Sequence, residues 1–530
     1  MPKTQSHRWP AGLAIALACG YFVAELFILG RPGFPLDDSW IHLQFARQLA
    51  SGDGLSYNPG QWIGGSTSPL WTALLSLGFL LPGGGFLLYT KALGIVLFAV
   101  GVDAAARLAG ELGLGPKWRT LAAVLVATSH WLLWSALSGM EVPLFTVLAT
   151  WGLILHLRER RAARLDPSRF DPPRSLAVLA LATLARPEGL VPLTLALVER
   201  CLRFEGTPDG VRLRREPTRR VLPGLAVGAL VLGPTLAVYG WLGGSVVPST
   251  FTAKTATDGG LWPDGGYLLL VLDVLARSQP VLVFFAAAGA LRLAGWLGTD
   301  RDRGWLPAAW LLAQPLAYSL VAAPGAPPPL GNFGRYYFPL LPLVVVVGLV
   351  GLEPLVRGRA LWLGRRRLGA FALVAVAAVG IQLASLLPGP LRYVQTVANV
   401  EDSDVAAALW LRPRLHPEAV LAVQDIGALK FFLPNPVIDL VGIVTPEVVP
   451  HLRGSGPDDP VYWEERLARY LAREKPDYLV VFAESYPLLS GRADGFEPVH
   501  RISVQGNVTM AGSELVIVAT PWNRHPLRSP

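Results

Sequence analysis

The sequence predicts a polytopic α-helical membrane protein with about eleven apolar segments, followed by a C-terminal α/β domain. Of the 530 residues, 52% are hydrophobic and only 16% are charged, whereas soluble proteins carry about 25% charged residues. Apolar runs recur up to residue 387, several of them near the length of about 20 residues that spans a bilayer. Beyond residue 387 the composition becomes that of a soluble domain. We therefore predict a transmembrane domain over 1–387 and a soluble α/β domain over 388–530.

The first apolar run extends from Trp9 to Leu29 behind three basic residues. A secretory signal has a shorter apolar region and a cleavage site of small residues. Because this run is long and shows no such site, we expect an uncleaved span. Ten further apolar stretches follow, near 68–82, 86–110, 119–137, 140–157, 175–200, 221–241, 266–290, 305–322, 336–352 and 369–387.

The loops between these stretches differ in arginine content, which predicts their orientation. Residues 158–174 and 201–220 contain six arginines each, whereas 242–265 and 323–335 contain only Lys254 and Arg335 as basic residues. Cytoplasmic loops of membrane proteins are enriched in Lys and Arg. We therefore place the arginine-rich loops in the cytoplasm, and the first loop, 31–67, and the C-terminal domain on the extracytoplasmic face of the cell membrane.

This orientation requires the stretch 175–200 to enter and leave on the same side. Arg186-Pro187-Glu188-Gly189 lies in its middle, where Pro and Gly break a helix, so we predict a hairpin. The same orientation leaves 68–82 in the interface or as a re-entrant segment. The alternative makes 68–82 a span and 175–200 a single kinked helix, and it places Glu141 in the cytoplasm.

The C-terminal region combines strand-like and helix-like segments. Residues 461–473 have a helical pattern, and four short runs rich in β-branched residues predict strands at 420–423, 437–440, 478–482 and 515–518. Cys19 and Cys201 lie far apart and form no disulfide framework or zinc motif. The net charge of +8 reflects membrane topology rather than nucleic-acid binding.

Two adjacent acids, Asp37 and Asp38, follow the first span directly. Carboxylates beside a bilayer are costly, so such a pair is a functional-site hypothesis. Adjacent acids repel, which raises the pKa of one unless a cation lies between them. A raised pKa suits a general base, and a bound metal suits phosphate chemistry. The alternative is that the acids cap the helix beginning near Ser39.

Other polar residues occur on the loops assigned to the outer face or at the hairpin. The long loop 31–67 has glycine-rich turns around Asn58 and Thr67 that let the backbone approach a ligand. The remaining candidates are Glu141, Arg186, Glu188, Lys254, Arg335 and Tyr336. Each has a structural alternative, since acids cap helices, cations snorkel and tyrosines anchor at interfaces. Together they are the acids and bases that transfer of a phosphate-activated group requires.

The order of these motifs resembles the GT-C superfamily of glycosyltransferases that use polyprenyl-phosphate sugars. This superfamily includes the protein O-mannosyltransferases, the lipid A aminoarabinose transferases and the mycobacterial arabinofuranosyltransferases, and the last group is the most similar in its pattern of motifs. The resemblance rests on short motifs in shared order: Asp37-Asp38, Gly54 with Asn58-Pro59-Gly60, Gly65-Ser66-Thr67-Ser68-Pro69-Leu70-Trp71, Ser138-Gly139-Met140-Glu141, Arg186-Pro187-Glu188-Gly189, Pro248 to Lys254, Arg335-Tyr336, Asp425-Ile426-Gly427-Ala428 and Ile438-Asp439-Leu440-Val441-Gly442.

The resemblance implies an inverting hexosyl- or pentosyltransferase acting on the extracytoplasmic face. Asp37 or Asp38 would deprotonate the acceptor hydroxyl, with Glu141 as the second catalytic acid. Arg186, Lys254 and Arg335 would bind the donor phosphate. Asn58, Thr67, Glu188 and Tyr336 would contact substrate. A divalent metal, Mg²⁺ or Mn²⁺, is left open, with Asp38 and Glu141 as its ligands if it is present.

The implied partners are a polyprenyl-phosphate sugar donor, membrane lipid and a cell-envelope acceptor, which can be a glycan, a lipid or a protein. Two other functions fit parts of the pattern. A transporter or flippase of lipid-linked saccharides would show internal repeats and a charged site near the midplane, and the sequence shows neither. A catalytically silent scaffold would not need the acid pair.

Overall fold

The computed structural model describes residues 8–166, 172–207, 210–215, 218–243, 262–299, 301–321, 334–357, 360–363, 366–452, 460–491 and 493–529. The first part of this chain is helical, as the apolar runs predict. Its helices are α1 (Arg8–Leu29), α2 (Asp38–Ala50), α3 (Pro69–Ser76), α4 (Phe86–Glu111), α5 (Pro116–Ala127), α6 (His130–Leu137), α7 (Val142–Leu165), α8 (Arg174–Ala185), α9 (Leu190–Cys201), α10 (Thr218–Gly243), α11 (Gly265–Ser278), α12 (Leu282–Gly295), α13 (Leu306–Val321), α14 (Leu341–Val356) and α15 (Ala370–Leu386).

Five helices in the described residues are long and apolar enough to cross a membrane, and up to seven spans result if each of two bent pairs counts as one. The stretch 266–290, treated as one apolar segment in the sequence, consists of two helices, α11 and α12, bent by 108°. Pro280 explains the break, since proline lacks the backbone donor and clashes with the preceding turn. The stretch 119–137 is likewise two helices, α5 and α6, bent by 55°.

Two apolar stretches of the sequence form short helices. Residues Pro69–Leu80 form a short apolar helix, well below the length that spans a bilayer. The stretch 175–200 breaks at Arg186 into α8 and α9 instead of forming one kinked helix. The turn is tight, because a Cβ added at Gly189 would lie 2.4 Å from the backbone nitrogen of Thr183.

The C-terminal region carries five further helices, α16 (Gly389–Val400), α17 (Ala406–Leu411), α18 (Ile426–Phe432), α19 (Val449–Leu452) and α20 (Pro460–Glu474). A five-stranded mixed sheet has the order β6-β5-β7-β9-β8. Its strands are β5 (Leu421–Val423), β6 (Val437–Asp439), β7 (Tyr478–Phe482), β8 (Glu497–Ser503) and β9 (Glu514–Ala519). Strand β5 pairs in parallel with β6 and β7, whereas β9 pairs antiparallel with β7 and β8.

The four predicted strands and the helix near 461–473 are present in this sheet domain. The sequence prediction missed β8, which is an exposed edge strand containing Pro498; proline is confined to such edges. It also missed two hairpins within arginine-rich loops, β1 (Leu202–Thr207) with β2 (Gly210–Arg215), and β3 (Ala360–Leu363) with β4 (Arg366–Gly369).

A buried ionic network joins the first helices to the start of the C-terminal region. Lys91 on α4 and Glu25 on α1 are both fully enclosed, and Lys91 Nζ lies 2.9 and 2.8 Å from the two carboxylate oxygens. Lys91 also donates to the Tyr393 hydroxyl at 2.7 Å and to the carbonyl of Leu137 at 3.3 Å. Buried charges are tolerated when paired and hydrogen-bonded in this way. The network fixes the end of α6, immediately before Glu141.

Candidate functional site

The two adjacent aspartates contact different partners. Asp37 accepts hydrogen bonds from the backbone amides of Gly427 (2.6 Å) and Ala428 (2.7 Å). Asp38 instead lies 2.6 Å from a guanidinium nitrogen of Arg335, and 27% of its side chain is exposed. Asp37 stands at the N-cap position of α2, but the alternative that its side chain caps this helix does not hold, because it makes no side-chain bond there. It caps α18 instead, since a carboxylate is favourable at exposed amide groups of a helix start.

The environment of Asp37 raises its pKa to about 7. Burial is the largest cause, and the neighbouring carboxylates of Asp38 and Asp439 act in the same direction, whereas the two amide hydrogen bonds lower the pKa. Burial and the carboxylates of Asp37, Asp38 and Asp439 also raise the pKa of Asp425 well above its usual range. The junction between the outer loop and α18 is therefore an acidic environment.

Glu141 is the centre of a buried charge cluster. One of its carboxylate oxygens lies 2.5 Å from Arg186 and the other 2.9 Å from His42 Nε2. Arg186 also lies 2.6 Å from Glu188. His42 is four residues after Asp38 on α2, so the two side chains share one face of that helix. The cluster therefore brings the turn between α8 and α9, the helix α2 and the start of α7 together.

The turn that carries Glu141 is held from two sides. Ser39 Oγ donates to the carbonyl of Ser138 at 2.6 Å, and Trp71 Nε1 donates to the carbonyl of Gly139 at 3.0 Å. Gly139 has φ of 76°, and an added Cβ would lie 2.6 Å from the ring of Phe34. Only glycine adopts this conformation readily and fits this space. These contacts give Trp71 and Gly139 a structural role in positioning Glu141.

Tyr336 lies between the two arginines of the site. Its ring centroid is 5.2 Å from the Arg186 guanidinium and 5.4 Å from that of Arg335, within the range of cation–π attraction. Gln314 Nε2 donates to the backbone carbonyl of Tyr336 at 2.7 Å. Arg335 is 9% exposed, and within the described ranges its Nη1 has no hydrogen-bond partner. The site thus presents one buried guanidinium nitrogen for an anion.

The C-terminal region forms part of the site through α18. Tyr57 donates its hydroxyl proton to the carbonyl of Ile426 at 2.8 Å, and Arg47 donates to the carbonyl of Phe431 at 2.9 Å. Asn58 exchanges two hydrogen bonds with the backbone of Val437, at 3.1 and 3.3 Å. Residues of the loop 31–67 therefore hold both ends of α18 as well as strand β6.

The second C-terminal motif shapes a loop beside the first outer loop. Asp439 accepts from the amides of Val441 and Val444, both at 2.8 Å, and burial raises its pKa to about 6. A Cβ added at Gly65 would lie 3.2 Å from the carbonyl oxygen of Ile443. Close packing of this loop therefore accounts for the glycine at position 65.

The structure brings most of the predicted site residues together. Asp38, Glu141, Arg186, Glu188, Arg335 and Tyr336 form one connected group. Asp37 and Asn58 lie at the junction with the C-terminal region, and Thr67 is half-buried in the loop before α3. Lys254 lies outside the described residues. His42 was not predicted as a site residue, although its spacing of four residues from Asp38 was the available signal.

Comparisons with known proteins agree with this architecture. The family model "Domain of unknown function (DUF8728)" matches residues 392–518. A search of curated protein sequences gave no match. Apo oligosaccharyltransferase from Archaeoglobus fulgidus is 14% identical, with a TM-score of 0.56 over 91% of this chain and 70% of that chain. ArnT from Cupriavidus metallidurans bound to undecaprenyl phosphate is 13% identical, with a TM-score of 0.55 over 96% of this chain and 98% of that chain.

These similarities extend over nearly the whole molecule, although sequence identity is low. The two solved proteins are members of the GT-C superfamily. The chain therefore has the GT-C fold, as the order of its motifs indicated. Together with its apolar helices, this fold identifies a membrane protein.

Proposed function

We propose that this chain is an inverting glycosyltransferase that moves a sugar from a polyprenyl-phosphate donor to a cell-envelope acceptor on the extracytoplasmic face. The observation that carries the proposal is the contact of 2.6 Å between the partly exposed Asp38 and the buried Arg335. This pair offers a base for an incoming hydroxyl and a cation for a departing phosphate. The similarity to an ArnT structure that contains undecaprenyl phosphate supports the class of donor.

In the proposed reaction, Asp38 takes the proton of the acceptor hydroxyl. The acceptor oxygen attacks the anomeric carbon from the face opposite the phosphate, and the bond between that carbon and the phosphate oxygen breaks. The polyprenyl phosphate leaves with the electron pair, and the configuration at the anomeric carbon inverts. Arg335 and Arg186 stabilise the negative charge that develops on the phosphate, and Lys254 is proposed as a third cation.

Donor binding would also release the base. In the structure one guanidinium nitrogen of Arg335 pairs with the Asp38 carboxylate. The other terminal nitrogen of Arg335, Nη1, has no hydrogen-bond partner within the described ranges. A donor phosphate that binds Nη1 competes with Asp38 for the same guanidinium, because arginine favours bidentate phosphate contacts. Asp38 then becomes available to the acceptor hydroxyl only after the donor has bound.

The other predicted residues are assigned by their contacts. We propose that Tyr336 and Thr67 contact substrate. Glu188 positions Arg186, with which it pairs. Asn58 positions strand β6 through its hydrogen bond to Val437. Glu141 orients Arg186 and His42.

The residues present do not fit a divalent metal at Asp38 and Glu141. Both oxygens of Glu141 face partners, Arg186 and His42, and Asp38 faces Arg335. A cation at this position would have to displace two guanidinium groups, which are themselves the charges that a phosphate requires. Phosphate stabilisation is therefore assigned to the arginines, and no step is routed through Mg²⁺ or Mn²⁺.

The test is transfer of radiolabelled sugar from a panel of polyprenyl-phosphate donors by purified full-length protein. We expect one class of donor to turn over, with release of polyprenyl phosphate, and Arg335→Ala to abolish that turnover. Arg161→Ala is the matched control, since Arg161 pairs with Glu111 away from the site, and it should retain activity. Donors that bind without turnover in the wild type would overturn the enzyme in favour of a transporter or scaffold.

A further inference from the structure

A second cluster of chemically active side chains lies in the C-terminal region and includes none of the residues of the site described above. His416 follows α17, and His525 lies in the segment after β9, so residues more than a hundred positions apart meet here. Their rings stack with centroids 4.5 Å apart and planes within 8°. One potential ligand atom from each of His416, Glu418 and His525 lies within 4.8 Å of the other two.

A buried carboxylate fixes the orientation of His525. His525 Nδ1 lies 3.2 Å from Oδ1 of Asp477, and His525 Nε2 lies 3.9 Å from the carboxylate of Glu418. Asp477 is fully buried and is itself held by the backbone amides of Arg524 and Val420, at 2.8 and 2.9 Å. Histidines that bind metals commonly donate their second ring nitrogen to such a carboxylate. The arrangement leaves Nε2 aimed at Glu418.

The segment that carries His525 is well anchored. The Tyr478 hydroxyl donates to the carbonyl of His525 at 2.8 Å, and the amide of Arg528 donates to the carbonyl of Arg414 at 2.9 Å. Glu418, in contrast, is 80% exposed and can turn toward an ion at little cost. Two imidazoles on fixed backbone with one adaptable carboxylate form a donor set that suits zinc.

We propose that His416, Glu418 and His525 bind a zinc ion, with a solvent molecule as the fourth ligand. Binding requires the two rings to turn out of their parallel stack. It also gives up the hydrogen bond of 3.2 Å that His416 Nδ1 accepts from the amide of Glu418. The ion would join the loop before β5 to the segment after β9 and thereby stabilise the C-terminal sheet. The proposal does not depend on glycosyl transfer.

The experiment is calorimetric titration of zinc into full-length protein that was purified without a polyhistidine tag and stripped with chelator. We expect binding that His416→Ala and His525→Ala each weaken by at least about tenfold, since losing even a residue that only hydrogen-bonds a ligand costs roughly 10- to 100-fold in metal affinity. His500→Ala is the matched control, because this histidine stacks on Trp410 in the same region, and it should bind zinc as the wild type does. Zinc should also raise the unfolding temperature of the wild type.

A variant at an exposed ligand separates loss of zinc binding from loss of folding. Glu418 is exposed, so Glu418→Gln should fold normally and still weaken zinc binding. X-ray absorption at the zinc edge should show two imidazole ligands. Absence of zinc binding to the wild type, or equal affinity in the wild type and in Glu418→Gln, His416→Ala and His525→Ala, would overturn the proposal. Neither result depends on donor turnover, so failure here is distinguishable from failure of the proposed enzyme.

Discussion

Asp37 and Asp38 differ in what surrounds their carboxylates, not in their chemistry. The backbone amides of Gly427 and Ala428 occupy both oxygens of Asp37, whereas Asp38 faces Arg335 and remains partly exposed. A base must reach the proton it removes, and the exposed carboxylate meets that requirement. We therefore assign the base to Asp38 and a structural role to Asp37.

The sequence predicted which residues matter at this scale but not their partners. Acidic and basic positions were identifiable because charges near a bilayer are rare. The different roles of Asp37 and Asp38 depend on α18, which lies nearly 400 positions further along the chain. A single sequence contains no signal for such a long-range contact, and the same reason hid the pairing of His42 with Glu141.

Glu141→Gln should reduce transfer by roughly 10- to 100-fold, since a charge-assisted hydrogen bond contributes roughly 1.5–3 kcal/mol. The amide no longer balances the Arg186 charge, so donor phosphate is held less accurately. Steady-state kinetics with varied donor would measure the loss. Glu111→Gln removes a carboxylate that pairs with Arg158 and Arg161 and should leave transfer intact. Equal rates for the wild type and Glu141→Gln would remove Glu141 from the site.

Stability should depend on pH through Asp37. Burial raises the pKa of Asp37 to about 7 in the folded state, against about 3.9 when unfolded. The folded protein therefore holds this proton more tightly, and the resulting stabilisation, complete at low pH, is lost as the pH rises through about 7. Thermal unfolding in detergent between pH 5 and pH 8 should show this decline, and it should be smaller in Asp37→Asn. An identical slope in both proteins would contradict the assignment.

At the scale of elements, α2 and α18 form the junction on which the site depends. The helix α18 has only seven residues, too few for independent stability. Asp37 binds its first turn, and Arg47 and Lys430 bind carbonyls at or just beyond its end. Trp40 on α2 packs against the rings of Phe431 and Phe432, with centroids 5.0 and 4.9 Å away. Both hydrogen bonds and apolar packing therefore hold the junction together.

Gly427→Ala should separate this junction. The added Cβ would lie 2.1 Å from the backbone oxygen of Asp37 and 2.7 Å from its carboxylate, so the outer loop must move. We expect lower thermal stability and a large loss of transfer. Gly380→Ala is the control, because an added Cβ at this helical glycine meets nothing within 4 Å. Hydrogen exchange should increase in residues 37–62 and 421–443 of Gly427→Ala only. Unchanged exchange in both ranges would show that the two regions are not coupled.

The positions of the helices and strands along the chain were better predicted from the sequence than any other feature. The long apolar runs of the helices and the short β-branched runs of the C-terminal strands follow directly from burial, so most helices and four of the five sheet strands could be placed. The bend at Pro280 and the edge strand β8 were missed. The bend follows Arg277-Ser278-Gln279-Pro280, a polar break inside a stretch that was treated as one apolar segment, and β8 is polar because most of its side chains are exposed.

At the scale of the whole molecule, α7 separates two charged ends. Glu141 precedes its first residue, and Arg160, near its other end, lies 2.8 Å from Asp302. Nineteen residues of helix correspond to about 28 Å, close to the thickness of the hydrocarbon core, although α7 is not among the five helices that are long and apolar enough to cross a membrane. Arginine-rich loops at the second end and the acid site at the first are what the proposed orientation requires.

Cysteine labelling of intact spheroplasts tests this orientation. In a variant lacking Cys19 and Cys201, a cysteine introduced by Val508→Cys should react with a membrane-impermeant maleimide, since Val508 is exposed. Arg161→Cys should react only after the membrane is broken. The reverse pattern would invert the topology and place the site on the cytoplasmic face.

The central claim is that Asp38 removes the acceptor proton, and its most direct test compares Asp38→Asn with Asp37→Asn. With the donor that the wild type uses, Asp38→Asn should bind donor yet lose at least about 100-fold in transfer, the usual contribution of a general base. Asp37→Asn should keep measurable transfer and lose thermal stability. Full activity of Asp38→Asn, or its loss only in Asp37→Asn, would contradict the account.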